Sequence, residues 1–290
     1  MPKGTSDIIV IGSGYSLKNL SQEEIDYING CDLVFALNKY VVFYEKLNIL
    51  PSHVYFVDMH ANSLKFLNYI FEFCANKGLE GIIFILNKKL DGKVYRSKID
   101  LYQINIRRII LNSFSNKKNK FIAVLSTLKK LWKLAVKTDW YLGGYFILPK
   151  NCSVQFVTCS GMLEDVKWAG SLDETLFHFR TSFTSLLNYI SIKYPGRDIK
   201  LVGTDFNKGE YFFQEELDKL KLEWRDSLWD ATVKNDKHFA VQDFKGTNLM
   251  DKMDYIVNKL QQSENVLSCN NPDSDMVKKN FVPYKRLNKS

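Results

Sequence analysis

Near the start of the chain an apolar run, Asp7 to Ile11, breaks at Gly12-Ser13-Gly14 and passes directly into Tyr15-Ser16-Leu17-Lys18. A buried strand that ends on two glycines and enters a helix is a strand–turn–helix unit, and it restricts the fold more than any other stretch. The glycines let the main chain approach a ligand closely, and a helix N-terminus offers N–H groups and partial positive charge. Ser16 is the expected N-cap, with Leu17 and Leu20 as the first apolar helix positions. The turn lacks the third glycine of the dinucleotide fingerprint and the Gly-Lys-Ser/Thr of a P-loop. Alone, it fits a nucleotide turn and an ordinary strand–helix connection equally well.

Similar units follow. Glu23 to Asn29 predicts a short helix closed by Gly30, and Asp32 to Leu37 a buried strand ending at Asn38. Val54 to Val57 is a third strand, ending at Asp58 and His60. Leu64, Leu67, Ile70, Phe71 and Cys74 recur at helical spacing, with Gly78 placed to close that helix. Gly81 to Leu86, Val154 to Thr158, Ile199 to Val202 and Val266 to Cys269 are further strands. Thr175 to Ile192 predicts one long helix ended by Pro195-Gly196, and Asn248 to Leu260 another. Short apolar strands alternating with helices predict an α/β fold: a Rossmann-like, mostly parallel sheet flanked by helices. Ligands of such sheets lie at the carboxyl ends of strands. Here those ends carry Ser13, Asn38, Asp58 and His60.

The organisation expected is one domain over 1–290. Within it lie a variable insert at 88–150, a lid-like polar segment at 207–237 and a loosely packed basic tail at 277–290. In the insert, seven lysines between Lys117 and Lys137 flank Phe121, Leu125, Leu128 and Trp132 as a basic amphipathic helix. It either packs one face on the core or meets an anionic membrane or lipid-linked acceptor. The net charge of +8 favours an acidic partner, either a sugar nucleotide, anionic lipid or nucleic acid. The five cysteines are scattered with no Cys-x-x-Cys pair, which predicts neither zinc nor a disulfide framework. No signal peptide or 18-residue apolar span is present. The expected location is cytoplasmic, with peripheral contact at the inner membrane through 117–137.

Several motifs in order resemble the bacterial sialyltransferases of glycosyltransferase family 42. Gly12-Ser13-Gly14-Tyr15-Ser16-Leu17-Lys18 resembles that family's Gly-Asn-Gly-Pro-Ser-Leu-Lys opening, and Leu37-Asn38-Lys39-Tyr40 its Cys-Asn-Gln-Phe strand end. Arg180-Thr181-Ser182 is similar to its Arg-x-Thr-Ser segment, one residue of spacing apart. Leu201-Val202-Gly203-Thr204-Asp205-Phe206 resembles Leu-Ser-Gly-Ile-Asp-Phe, and Tyr211 falls where the family has a phosphate-binding tyrosine. Leu267-Ser268-Cys269-Asn270-Asn271-Pro272 resembles its closing strand end. The likeness covers both ends of the chain and leaves residues 88 to 150 unmatched. It implies a GT-A-variant, sialyltransferase-like domain with a lid, transferring an acidic sugar from a CMP-activated donor to a bacterial surface glycan, capsule or lipopolysaccharide, with no metal or other cofactor. By the same likeness Gly12, Ser13, Gly14 and Ser16 would hold phosphate and ribose. Asn38, Asp58, Thr181, Ser182 and Gly203 would line the donor pocket, Arg180 would face the donor carboxylate, and Tyr211 the leaving phosphate.

Two positions depart from that pattern. Asn207 stands where the family has its first phosphate-binding tyrosine, and Gln242 where it has its general-base histidine, with His238 four residues earlier. Asp205 followed by His238 after 33 residues more loosely resembles retaining transferases that move Kdo from CMP-Kdo, and the loss of the expected histidine at Gln242 tilts the expectation slightly from sialic acid to Kdo. His238 is then the acid/base candidate, its alternative being a capping or solvated histidine. Asp205 is the candidate nucleophile, its alternative being a loop-bonding carboxylate. Asp243 and Glu210 are reserve carboxylates, His60 a weaker candidate, and His53 and His178 structural. With four scattered histidines, no metal site is expected. Two other functions remain open: a nucleic-acid-binding protein using 117–137, which lacks any RNA-module signature, and an inactive nucleotide-binding protein of the same fold.

Overall fold

A computed structural model of the protein describes residues 5–97, 100, 145–160, 167–206, 210–220, 238–243 and 245–287. The amphipathic segment 117–137 and most of the lid-like segment 207–237 lie outside the described residues. The strands are β1 (Thr5–Ile11), β2 (Cys31–Leu37), β3 (His53–Phe56), β4 (Ile83–Asn87), β5 (Val94–Tyr95), β6 (Phe146–Ile147), β7 (Ser153–Cys159), β8 (Thr175–Leu176), β9 (Ile199–Val202) and β10 (Leu267–Cys269). The α-helices are α1 (Gln22–Asn29), α2 (Ala61–Lys77), α3 (Ser182–Lys193), α4 (Gln214–Lys219), α5 (Met253–Gln262) and α6 (Asp275–Lys278).

Eight strands form one sheet in the order β10-β9-β1-β2-β3-β4-β7-β8, and each of its pairings is parallel. The fold is Rossmann-like α/β. Period-two alternation along β1 sends Ile9 and Ile11 to one face and Ile8 and Val10 to the other. The first face packs on residues of α1, α2 and the Phe212-Phe213 segment, and the second on α3 and α5. Both faces being covered, β1 reads as an unbroken apolar run, as buried parallel strands do. From β1 the chain winds outward through β2, β3, β4, β7 and β8, then returns to place β9 and β10 on β1's other side. The direction of winding therefore reverses between β1 and β9.

Local chemistry explains the element ends. Ser21 and Glu24 make a reciprocal capping box at α1. Gly78 closes α2 in the left-handed conformation, with φ 65°. The expected helix from Thr175 to Ile192 is corrected: it begins only at Ser182, after the short strand β8 and an extended segment. Helix α3 itself holds that segment extended. Asn188 Oδ1 accepts from the Phe177 N–H at 2.9 Å and Thr184 Oγ1 accepts from the Phe179 N–H at 2.8 Å. With those N–H groups satisfied by side chains, the backbone has no need of helical partners there. The tail is also corrected. Residues 277–287 pack against the sheet end rather than hanging loose. Cys269 bridges Tyr284, and Val282 and Leu287 are buried.

Candidate functional site

The turn after β1 differs from its expectation. It enters a short 3-10 turn, Tyr15–Asn19, and Gly14 rather than Ser16 takes the cap position, with no side-chain cap bond. The N–H groups that were expected to face a ligand are used inside the chain. Gly12 donates to the Val202 carbonyl at 2.8 Å, and Gly14 to the Gly203 carbonyl at 2.7 Å. The Ser16 N–H donates to Asp205 Oδ2 at 2.8 Å, and the Ser16 hydroxyl donates to Asp205 Oδ1. Asn271 Nδ2 donates to the same Oδ1 at 2.8 Å. Both oxygens of the buried Asp205 carboxylate are thus engaged, the arrangement foreseen as its loop-bonding alternative. Its backbone is fixed too, because its carbonyl accepts from Ser274 Oγ and the Asp275 N–H, each at 3.3 Å.

The glycines have a packing reason. A Cβ on Gly12 would overlap the Gly203 carbonyl oxygen and lie 2.9 Å from Thr204 Cγ2. One on Gly14 would lie 2.5 Å from Asp205 Oδ2. Gly203 has φ 65°, and a Cβ there would strike Leu17. Gly12, Gly14 and Gly203 therefore close the β1/β9 reversal by direct chain contact. In sheets of this kind that reversal is where a ligand crevice opens. Its innermost part here is filled by the protein's own backbone.

A cationic group lies beside this closed turn. Asn38 ends β2 with φ 49°, and its buried Oδ1 has no hydrogen-bond partner. The next residue, Lys39, carries its ammonium over the Tyr211 ring, 5.4 Å from the centroid. Tyr211 pairs in antiparallel fashion with Gly14, and the Phe212 N–H donates to the Ser13 carbonyl at 3.1 Å. Tyr211 stacks on Phe213 with centroids 5.2 Å apart. This pairing carries Lys39 to the glycine turn. Sequence reasoning passed over Lys39; its one signal was a cation directly after a polar strand end.

Arg180 sits at the centre of a three-residue γ-turn, with φ 63° and the Thr181 N–H donating to the Phe179 carbonyl at 2.8 Å. A γ-turn with positive φ is rare and strained, and a bulky side chain makes it costlier. The guanidinium donates to the Gln242 carbonyl at 3.0 Å. So Gln242, which stands where the resembled family has its general-base histidine, anchors the arginine through its backbone. Burial lowers the Arg180 pKa, opposed by the charge of Asp243.

His238 lies edge-on to Phe206, centroids 5.4 Å apart, and Phe206 itself has φ 57°. The residue keeps some solvent contact, yet burial of its ring, with the charges of Lys39 and Arg180, pushes its pKa down to about 4. It is neutral at pH 7. Its Nδ1 accepts from the Ala240 N–H at 3.2 Å, the capping alternative. The proton of the neutral ring therefore belongs on Nε2, which makes that nitrogen a donor.

Asp58 ends the strand next along the edge, and its Oδ1 accepts from Ser182 Oγ at 3.2 Å at the start of α3. Thr181 caps α3, accepting from the Phe183 N–H at 3.3 Å. His178 is buried, and burial lowers its pKa against the opposing charge of Asp58. His53 is a buried ring stacked on Phe35 at 4.3 Å, away from this edge. His60 stands exposed at the head of α2 without capping it. The reserve carboxylates Glu210 and Asp243 are exposed.

The expected residues thus fall into three adjoining groups. Gly12, Gly14, Ser16, Gly203 and Asp205 form a closed clasp, with Ser13 tied to Phe212. Arg180, His238, Tyr211 and the added Lys39 form a cationic edge, and Asp58, Thr181 and Ser182 head α3. Among the described residues, no group of three or more His, Cys, Asp or Glu side chains is arranged to hold a metal ion. No helix among them is long and apolar enough to cross a membrane. No family model, curated protein or solved structure matches the chain.

Proposed function

We propose that this protein is a glycosyltransferase that takes an acidic nonulosonate sugar, Kdo or sialic acid, from its CMP-activated form and passes it to a bacterial surface glycan. The observation that carries the reading is the meeting of Lys39, Arg180 and His238 at the carboxyl edge of a Rossmann-like sheet. A CMP-sugar of this kind bears two separated anions, the phosphate and the sugar carboxylate, and two cations beside a neutral imidazole complement them. The strain held at Arg180 also supports a functional role there.

In this reading the acceptor hydroxyl oxygen bonds to the anomeric carbon as the bond from that carbon to the CMP phosphate oxygen breaks. CMP leaves with the bonding electron pair. His238 donates through Nε2–H to the charge gathering on the leaving phosphate. Its Nδ1 already accepts from Ala240, so the acceptor proton goes to a different group, and in this reading that role is assigned to Asp58, the neighbouring strand-end carboxylate that accepts from Ser182 Oγ. Ser16 and Asn271 engage Asp205. This counts against Asp205 as a free nucleophile, while Gln242 in place of the resembled family's histidine keeps Kdo slightly ahead of sialic acid as the donor sugar.

The test is thermal stability with CMP, CDP, UDP, ADP and NAD added separately. A ligand that binds only the folded state raises the melting temperature by mass action. Selective stabilisation by CMP, followed by turnover of CMP-Kdo or CMP-sialic acid, is the expected outcome. No shift with CMP, or a larger one with UDP or NAD, refutes the donor.

A further inference from the structure

We propose that His178, Ser160 and Asp58 form the acceptor subsite, and that it takes the uncharged, hydroxyl-bearing end of a saccharide. This rests on the reading that the site transfers a sugar from a CMP-linked donor. The geometry begins in the backbone. The Phe177 and Phe179 N–H groups are both bound by side chains of α3, which holds the segment between them extended. The two phenylalanine rings stack with centroids 6.3 Å apart and 12° between their planes, and both are buried in the core on the α3 side. Side chains alternate along an extended segment, so His178 is turned to the opposite side. There the Asp58 charge acts on its ring, and the main chain of Ser160 lies near it. Ser160 is brought there by β8, whose Leu176 pairs with Cys159 at the end of β7.

His178 is only 7% exposed, yet among the described residues neither of its ring nitrogens has a hydrogen-bond partner. The buried Ser160 Oγ has none either. Folded interiors rarely leave such groups unmatched, because each one destabilises the fold. A neutral imidazole offers one donor and one acceptor, and a serine hydroxyl offers both. Asp58, whose Oδ1 accepts from Ser182 Oγ at 3.2 Å, adds further acceptors and a negative charge. Sugar hydroxyls, which donate and accept and carry no charge, match this set. An anion is repelled by Asp58, and an ammonium has no acceptor for the imidazole N–H. Arg180 follows His178 by two residues, and Ser182 by four, so the subsite adjoins the cationic edge. A hydroxyl held by His178 is thereby brought beside the carboxylate that takes its proton. Ordered water satisfies the same atoms and is the competing occupant.

The chain has four histidines, so their ring signals are separable by NMR, and that of His178 is the one missing from His178→Gln. The probes are methyl β-glucoside, methyl β-galactoside and glucuronate, with affinities read by saturation-transfer NMR. At least one neutral glycoside is expected to shift the His178 ring signal, and glucuronate to bind about 10-fold more weakly or not at all. Ser160→Ala weakens the glycoside about 2- to 10-fold, the range for one neutral hydrogen bond, and Lys77→Gln at the surface changes nothing. His178→Phe abolishes glycoside binding yet melts at or above wild type, because an apolar ring replaces an unpartnered polar one. A merely structural histidine would give the reverse. A His178 signal unmoved by both neutral glycosides leaves water as the occupant and overturns the subsite, as does glycoside binding kept in His178→Phe. A stronger response to glucuronate overturns the uncharged acceptor. CMP stabilisation of wild type is scored separately. With CMP bound and the ring unmoved, the donor reading stands and the subsite falls; with the ring moved and no CMP effect, a saccharide site stands and the donor falls.

Discussion

Replacing Asp205 by asparagine separates two roles that a carboxylate at a strand end can play. In the structure its oxygens accept from the Ser16 N–H, the Ser16 hydroxyl and the Asn271 amide. Asparagine keeps the size but turns one acceptor into an NH2 group facing donors. The Ser16 hydroxyl can rotate to accept, which recovers one contact, while the remaining mismatch loses one to two charge-assisted bonds at about 1.5–3 kcal/mol each. A net loss of about 1.5–6 kcal/mol follows. For a chain of this size each kcal/mol moves the melting temperature by about 2 °C, so Asp205→Asn melts about 3–12 °C below wild type. Thermal unfolding followed by circular dichroism reads this directly. A double-mutant cycle with Ser16→Ala reports coupling, because both substitutions act on one contact. A variant that melts within about 1 °C of wild type yet has lost all turnover would refute the clasp and restore Asp205 as a chemical group.

Two further predictions concern the same edge. His238 titrates near pH 4 in an NMR titration of its ring, and bound CMP raises that midpoint because the phosphate offsets Lys39 and Arg180. Its folded pKa lies below the ordinary 6.5, so its contribution to stability is complete above pH 6.5 and is lost as the pH falls from there toward 4; a midpoint near 6.5 in the free protein sinks this account of the ring. Gly12→Ala forces a methyl group into the Gly203 carbonyl and destabilises the fold by about 1–3 kcal/mol or more, whereas Gly170→Ala, where the nearest atom to the new Cβ is a flexible glutamate oxygen at 3.9 Å, changes the melting temperature little; equal melting of the two variants refutes the close packing at β1/β9.

Much of the scaffold is legible from local pattern. Buried parallel strands announce themselves as apolar runs, and Gly78 closes α2 because only a residue tolerant of positive φ ends a helix that way. Thr175 to Arg180 is misread because its apolar content fits helix and buried strand alike. What decides it is Asn188 and Thr184, side chains of the next helix that satisfy its backbone. The site is legible as a set of polar strand ends and illegible as a set of partners. Asp205 suggests a nucleophile until Ser16, 189 residues earlier, is seen to bind it. Lys39 looks like a solvated lysine until Tyr211 is placed beneath it. Such pairings depend on strand order, which no short window of sequence contains.

The placement of β9 beside β1 sets a timetable for synthesis. The clasp joins Ser16 to Asp205 across 189 residues, so a nascent chain exposes one edge of its central strand until that span has been made. At ribosomal rates of 5–20 residues per second, this wait is roughly 10–40 s. Throughout it the apolar edge of β1 is a template for pairing with other chains. Folding on the ribosome is therefore held at a sheet of six of its eight strands, whose completion depends on the last third of the chain. Truncations that stop before β9 leave an aggregating fragment rather than a smaller domain.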